Sequence, residues 1–299
     1  MFVVGIFLLY FGDKLLHKNI LAFVSEKTYV GVYATAIITS MPELVVTLYA
    51  ASIGLYSIAV GALFGSSIAL LLLALGLPAI IKSIRISVKT SRKAYILLIV
   101  SLIVFALFIS DDFLAKKQIV FSHIESIILL MLALTYAYFL AGDVRLKRRI
   151  KNVNIVEGIS GVILLLLGGV LSVNAVEGLS LTIGISPYAV SVLLLGLGVA
   201  LPEIIENMLK VEKNIRLIEH NVLLSVIFNI VFILPLASLF FGPIIMSYSQ
   251  AFDGLLIVAA GIIAFPWSLK KNVEVDQTLG ILLVVLYALF SISVIIKAF

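Results

Sequence analysis

Long apolar stretches, parted by short polar segments, follow one another along the whole chain. Ile96–Ile109 with its flanks, Ile119–Leu140, Gly158–Ala175 and Thr278–Ile296 approach or reach the roughly 20 residues that cross a hydrocarbon layer as a helix. The same reading along the chain predicts ten spans, at about 2–23, 28–55, 57–81, 95–110, 119–141, 158–175, 185–209, 217–241, 251–269 and 277–297. Ten spans consume about 200 residues, which leaves short connections and one compact bundle without a separate soluble domain. The first stretch lacks a basic start and an evident small-residue cleavage site, so it reads as a retained span and not as a signal peptide.

Composition strengthens this picture. Of 299 residues, 63% are apolar and 12% charged, against about 45–50% and about 25% in soluble domains. The net charge of +5 does not point to nucleic acid, because the basic residues cluster at span ends with no aromatic-rich module between them. They instead report topology. The connections after odd-numbered spans hold 18 of the 21 lysines and arginines, leaving only Lys116, Lys117 and Lys297 on the other side. By the positive-inside rule, the odd connections are cytoplasmic and both termini lie outside. With no cysteine, disulfides, thiolate metal sites and thiol catalysis are excluded.

The chain also resembles itself. Phe7–Gly12 (FLLYFG) parallels Ile163–Gly168 (ILLLLG), Thr39–Leu44 (TSMPEL) parallels Val199–Ile204 (VALPEI), and Ser66–Leu70 parallels Ser225–Asn229, in the same order. The division predicted is a first five-helix repeat over residues 1–141, a basic cytoplasmic connection over 142–157, and a second repeat over 158–299. Five is odd, so the halves enter the membrane in opposite orientations. Inverted repeats of this kind mark secondary transporters, whose substrate sits near the midplane where the halves meet. The expected fold is therefore an all-α polytopic membrane protein of ten transmembrane helices in two inverted five-helix repeats.

Each half carries a Pro-Glu pair in the middle of its second span. Proline has no N–H for the carbonyl four residues earlier, so Pro42 frees Ile38 and Pro202 frees Gly198. Freed carbonyls beside Glu43 and Glu203 are hard oxygen ligands of the kind Ca²⁺ and Na⁺ take. Two negative charges are neutralised by one Ca²⁺, two monovalent ions or two protons, which is a basis for exchange. A glutamate at that depth is costly and is functional by default. Thr39 shares the face of Glu43, Ser225 shares that of Asn229, and Ser40 and Ser66 can add hydroxyls. Isolated hydroxyls in membrane helices more often bond their own backbone. Glu206 reads as a partner for a basic end residue such as Lys210, with a vestibule ligand as the alternative. Asp13, Asp111, Asp112, Glu125, Glu157, Glu177 and Asp253 fall near span ends and read as interfacial. Glu219 and His220 leave ion entry and ordinary pairing with Arg216 both open.

A Gly-bearing first span, a TSxPE-like break and a GS-containing third span, repeated in the second half, resemble the cation/calcium antiporter superfamily and its sodium/calcium exchanger branch. The likeness is strongest over Ala34–Ile80 and Ser191–Leu236. It implies ten helices in two inverted repeats, ions bound by the second, third, seventh and eighth helices, and alternating access in which the first and sixth slide past them. By motif it implies Glu43 and Glu203 as calcium ligands, Thr39, Ser40 and Ser66 as first-half ligands, and Ser225 and Asn229 as second-half ligands. Where the resemblance expects Thr-Ser before the second Leu-Pro-Glu, this chain has Val199-Ala200, and Leu70 stands at the first-half amide position. Val199 can contribute only its backbone carbonyl. The missing hydroxyls weigh on the sodium sites and make proton coupling a competitor.

The expected function is a secondary antiporter exchanging Ca²⁺ for Na⁺, with a Ca²⁺/H⁺ exchanger of the same fold as the alternative. A cation channel or an intramembrane enzyme is disfavoured, the latter because no HExxH, thiol or Ser/His arrangement is present. No cofactor is expected. The partners are Ca²⁺, Na⁺ or H⁺ and the lipid of the cell membrane, with oligomeric state open.

Overall fold

The computed structural model describes residues 1–20, 37–86, 100, 103–106, 119–141, 154–210, 215–257 and 273–298. Its helices are α1 (Phe2–Ile20), α2 (Met41–Ser52), α3 (Tyr56–Ile81), α4 (His123–Ala141), α5 (Ile155–Ile183), α6 (Pro187–Val190), α7 (Leu197–Lys210), α8 (Ile215–Phe228), α9 (Leu234–Phe241), α10 (248–257) and α11 (Gln277–Ala298). A π-helical turn over Ser191–Gly196 joins α6 to α7, and another over Asn229–Ile233 joins α8 to α9. Most of the span expected at 95–110, the second half of that at 251–269, and residues 142–153 of the basic connection lie outside the described residues.

Among the described residues, five helical stretches are long and apolar enough to cross a membrane: Tyr56–Ile81, Ile155–Ile183, Pro187–Leu209, Val222–Phe241 and Gln277–Ala298. The helix Ile155–Ile183 outruns its expected span of 158–175 at both ends. Asn154 caps its start by accepting from the Glu157 N–H, and Gly184, at φ 74°, ends it in the left-handed conformation. Polar caps start other helices too. Ser247 and Gln250 exchange side-chain and backbone bonds at 2.8 and 3.3 Å in a capping box at the start of α10. Glu125 accepts from the Ser122 N–H ahead of α4.

The bundle is built around α3, where 94% of the most apolar window is buried, against 17% for α11 at the periphery. Exposed apolar side chains form outward stripes, Val3, Val4, Phe7 and Phe11 on α1 and Ile159, Val162, Ile163 and Leu166 on α5. Such continuous apolar surface is a liability in water and the appropriate face towards lipid. Small residues let the backbones approach. Gly5 faces Gly168 and Ser172 while Gly12 faces Gly161 and Leu165, so α1 and α5 are antiparallel. Gly61 faces Tyr188 and Ser191 while Gly65 faces Val192 and Gly196, so α3 runs parallel to the α6–α7 unit. Gly76 faces Leu283 and Val284 while Gly280 faces Ile80, so α3 and α11 are antiparallel.

Four three-residue strands were not anticipated from the sequence. β1 (Ile84–Ile86) pairs antiparallel with β4 (Val273–Val275), Arg85 opposite Glu274. β2 (Ile119–Phe121) pairs antiparallel with β3 (Ile244–Met246), Val120 opposite Ile245. Each ladder joins one chain half to the other at a helix end, where backbone groups leaving the helix need partners.

Asp253 shows how one acidic residue near a helix end is held. Expected at the interface, it is 1% exposed, accepting from Tyr188 Oη at 3.0 Å and from Lys297 Nζ at 3.0 Å. It thereby ties α10 to α6 and to the end of α11. Lys297 also sits over the Phe252 ring, 5.0 Å from its centroid. Asp253→Asn keeps an acceptor for Tyr188 and removes the charge. It is expected to cost about 1–2 kcal/mol, below the full value of a buried charged hydrogen bond because the ammonium is partly solvated. Thermal unfolding in detergent measures it, and an unchanged midpoint would contradict the assignment.

Candidate ion-binding site

Glu43 and Glu203 reach the centre of the bundle by different local routes. In the first half the helix breaks. Residues 37–39 are helical, Ser40 forms a turn and caps α2 without a side-chain bond, and Pro42 and Glu43 occupy the first turn of α2. In the second half there is no matching break. Pro202 lies inside α7, and the irregularity comes earlier, as the π turn Ser191–Gly196. The symmetrical pair of proline breaks read from the sequence is thus replaced by a break at Ser40 and a widened turn upstream of Glu203. Single π turns inside helices recur at functional sites because they shift the backbone bonding register. The second one begins at Asn229 itself.

All the expected site residues in these segments are buried: Glu43 at 2%, Glu203 at 4%, Thr39 at 6%, Ser40 at 1%, Val199 at 2%, and Ser66, Ser225 and Asn229 at 0%. Contacts join several of them. Ser225 Oγ donates to Glu203, at 3.0 Å from Oε2 and 3.3 Å from Oε1. Asn229 Nδ2 donates to Ser66 Oγ at 3.4 Å and Ser67 Oγ at 3.2 Å, across the two halves. Both serines also donate to the Leu63 carbonyl, at 3.1 and 2.8 Å, so their hydroxyl oxygens remain available as acceptors. Helices α2, α3, α7 and α8 pack on one another around this point, and α2 also meets the Asn229 turn. Glu43 lies within the electrostatic field of Glu203.

Three buried oxygens here have no hydrogen-bond partner: Glu43 Oε2, Asn229 Oδ1 and Thr47 Oγ1. Buried polar atoms are nearly always satisfied, and exceptions call for an explanation such as an ion. Two carboxylates, an amide oxygen and hydroxyls form a set of hard donors suited to Ca²⁺ or Na⁺. Val199 and Ala200 keep the surroundings apolar where the resemblance expects hydroxyls, Ala200 being 0% exposed.

Sequence reasoning passed over three residues. Thr47 follows Glu43 by four positions and is therefore on its face, a signal that helical spacing contains. Ser67 was quoted only within the repeat, yet it is the nearer partner of Asn229. Asp13, read as interfacial, is 6% exposed with Oδ1 unpartnered, and lies within the influence of Glu206 and, less strongly, Glu203. Glu157, by contrast, is found at the surface, paired with Lys18 at 2.8 Å. The side chains of Glu219 and His220, along with Asp111 and Asp112, lie outside the described residues.

The family profile described as Sodium/calcium exchanger protein matches residues 1–142 and 155–296. An uncharacterized membrane protein of Methanocaldococcus jannaschii is 28% identical, over 80% of each chain. A putative antiporter, CaxA, of Alkalimonas amylolytica is 25% identical, covering 81% of this chain and 79% of its own. Among solved structures, the sodium/calcium exchanger from Methanococcus jannaschii is 26% identical with a TM-score of 0.68, covering 96% of this chain and 95% of that one.

Proposed function

Because the chain belongs to the sodium/calcium exchanger protein family, we propose that it exchanges Ca²⁺ for Na⁺ across the cell membrane by alternating access, holding its ions between Glu43 and Glu203. The observation that carries this reading is the pair of buried glutamates, one per half, with Glu43 Oε2 unpartnered. A carboxylate oxygen without a partner at that depth is too costly to keep unless a cation or a proton neutralises it. Thr39, Ser40, Thr47 and Ser66, with the Val199 carbonyl, Ser225 and Asn229, supply the remaining oxygens.

Helix directions support ten spans in two inverted halves. In such a count the first and sixth spans are antiparallel, the third and seventh parallel, and the third and tenth antiparallel, as α1 with α5, α3 with α6–α7, and α3 with α11 are. The two strand ladders add to this. Each pairs connections that the charge rule assigns to one side of the membrane, 84–86 with 273–275 inside and 119–121 with 244–246 outside. Both termini then lie outside.

The packing supports alternating access. The α1–α5 pair consists of the first helix of each half, held closely together where side chains of each pack onto glycines of the other, so it moves past the ion cluster as a unit. Sliding would open the glutamates to one side or the other. Exchange results because the apposed carboxylates resist being left without neutralising charge.

One observation favours a second reading, Ca²⁺/H⁺ exchange. Val199 and Ala200 remove two hydroxyls from the second half, and the carboxylates that remain can carry protons. Uptake of radiolabelled Ca²⁺ into proteoliposomes, under an outward Na⁺ gradient and then an outward H⁺ gradient at matched potential, separates the two. Na⁺-driven uptake is the expected result, H⁺-driven uptake alone establishes the second reading, and uptake under neither overturns both. In the Val199→Thr, Ala200→Ser double variant, sodium dependence is expected to increase. Unchanged sodium dependence would mean that these positions do not touch the coupling ion.

A further inference from the structure

Helices α1 and α7 lie against each other, and their register can be followed from Gly198. A Cβ there would come within 2.6 Å of Ile6 Cδ1 and 3.6 Å of Phe2 Cζ. Asp13 is seven residues beyond Ile6, and Glu203 and Glu206 are five and eight beyond Gly198. At about 1.5 Å per residue these are rises of about 10 Å on α1 and about 8–12 Å on α7, which brings Asp13 level with the two glutamates if the helices run in the same direction. The electrostatic coupling of Asp13, first to Glu206 and then to Glu203, agrees with that direction. Asp13 is 6% exposed and its Oδ1 has no partner. A buried carboxylate oxygen without a partner, level with two further carboxylates, calls for a neutralising proton or cation.

Among the described residues, no three acidic or histidine side chains close tightly enough to cage one bare metal ion. A cation held here therefore keeps part of its water. We propose that Asp13 and Glu206 form a second cation site, on the cytoplasmic side of the Glu43–Glu203 pair, where a partly hydrated divalent cation bridges α1 and α7. The inference rests on the exchanger reading above and extends its ion path by one station. It also gives α1 a means of sensing occupancy. With the cation present, α1 is drawn onto α7; without it, the carboxylates repel and the contact loosens.

Equilibrium binding of radiolabelled Ca²⁺ to the purified full chain tests this, with size-exclusion profiles as the check on folding. The unaltered protein is expected to show a tighter and a weaker class of site. Asp13→Asn weakens the weaker class by about tenfold or more, the scale on which a supporting ligand matters to a metal site, and leaves the tighter class. Asp13→Glu restores it, and Glu43→Gln removes the tighter class only. A single class that Asp13→Asn leaves unchanged overturns the second site while the exchanger reading stands. No Ca²⁺ binding by the unaltered chain overturns both.

Discussion

Glu43→Gln and Glu203→Gln are each expected to reduce Ca²⁺ uptake by more than about a hundredfold, the upper end of what even an outer-sphere change costs a metal site. Both are also expected to leave folding intact. Gln keeps the volume and one carbonyl oxygen, and it removes the charge that burial makes costly. Glu43 has an unpartnered oxygen at 2% exposure, so without added Ca²⁺ its neutralisation should leave the melting midpoint the same or higher. Loss of transport with unchanged or raised stability separates a binding role from a structural one. Calcium itself supplies a second check. A ligand at a hundred times its Kd stabilises the folded state by about 2.7 kcal/mol, so Ca²⁺ should raise the midpoint of the unaltered chain by more than that of either variant. Normal uptake by either variant would remove that residue from the site.

Gly65→Ala and Gly196→Ala are expected to have the largest effect on stability. A Cβ on Gly65 would lie 2.4 Å from the Val192 carbonyl oxygen, and one on Gly196 would lie 2.7 Å from Gly65 Cα. The obstacles are backbone, which cannot rotate away as a side-chain end could. The α3 and α6–α7 segments would have to separate, at a cost of about 1–3 kcal/mol for each methyl inserted. The change would also displace Ser66, which follows Gly65 directly, from Asn229. Lower thermal midpoints and weaker Ca²⁺ uptake should therefore appear together. Gly178→Ala is the control, since nothing lies within 4 Å of its added Cβ. A midpoint for Gly196→Ala equal to that of the control would contradict the packing described.

Much of the candidate site was legible from residue type and position. Glu43 and Glu203 stand out because a carboxylate in the middle of an apolar stretch has no bland explanation. Ser225 and Asn229 stand out because they recur at the place of Ser66 and Leu70 in the other half. Asp13 was harder to read. Its neighbours Lys14 and Lys18 suggest an interface, and the sequence does not show that α1 turns its acidic side to α7 and its lysines elsewhere. The partners of Asp253 were hidden for a similar reason, since Tyr188 and Lys297 are 65 and 44 residues away. The three-residue strands were invisible because so short a segment has no periodicity, and its pairing depends on where helix ends fall in space.

The sequence by itself determined the class of solvent, the rhythm of apolar spans, the charge asymmetry and the two glutamates. Each of these is a property of local composition, and the bilayer acts on composition directly, through transfer cost and helix length. Only the tertiary structure decided that one half breaks its helix at Ser40 while the other widens it over Ser191–Gly196. It alone decided that Ser67 meets Asn229, and that Asp13 lies buried beside α7. These depend on how closely glycine-lined helices approach and how each is rotated about its axis, and lipid cannot fix that rotation, because a helix that is apolar on every side gains nothing from one orientation over another until a neighbouring helix packs against it.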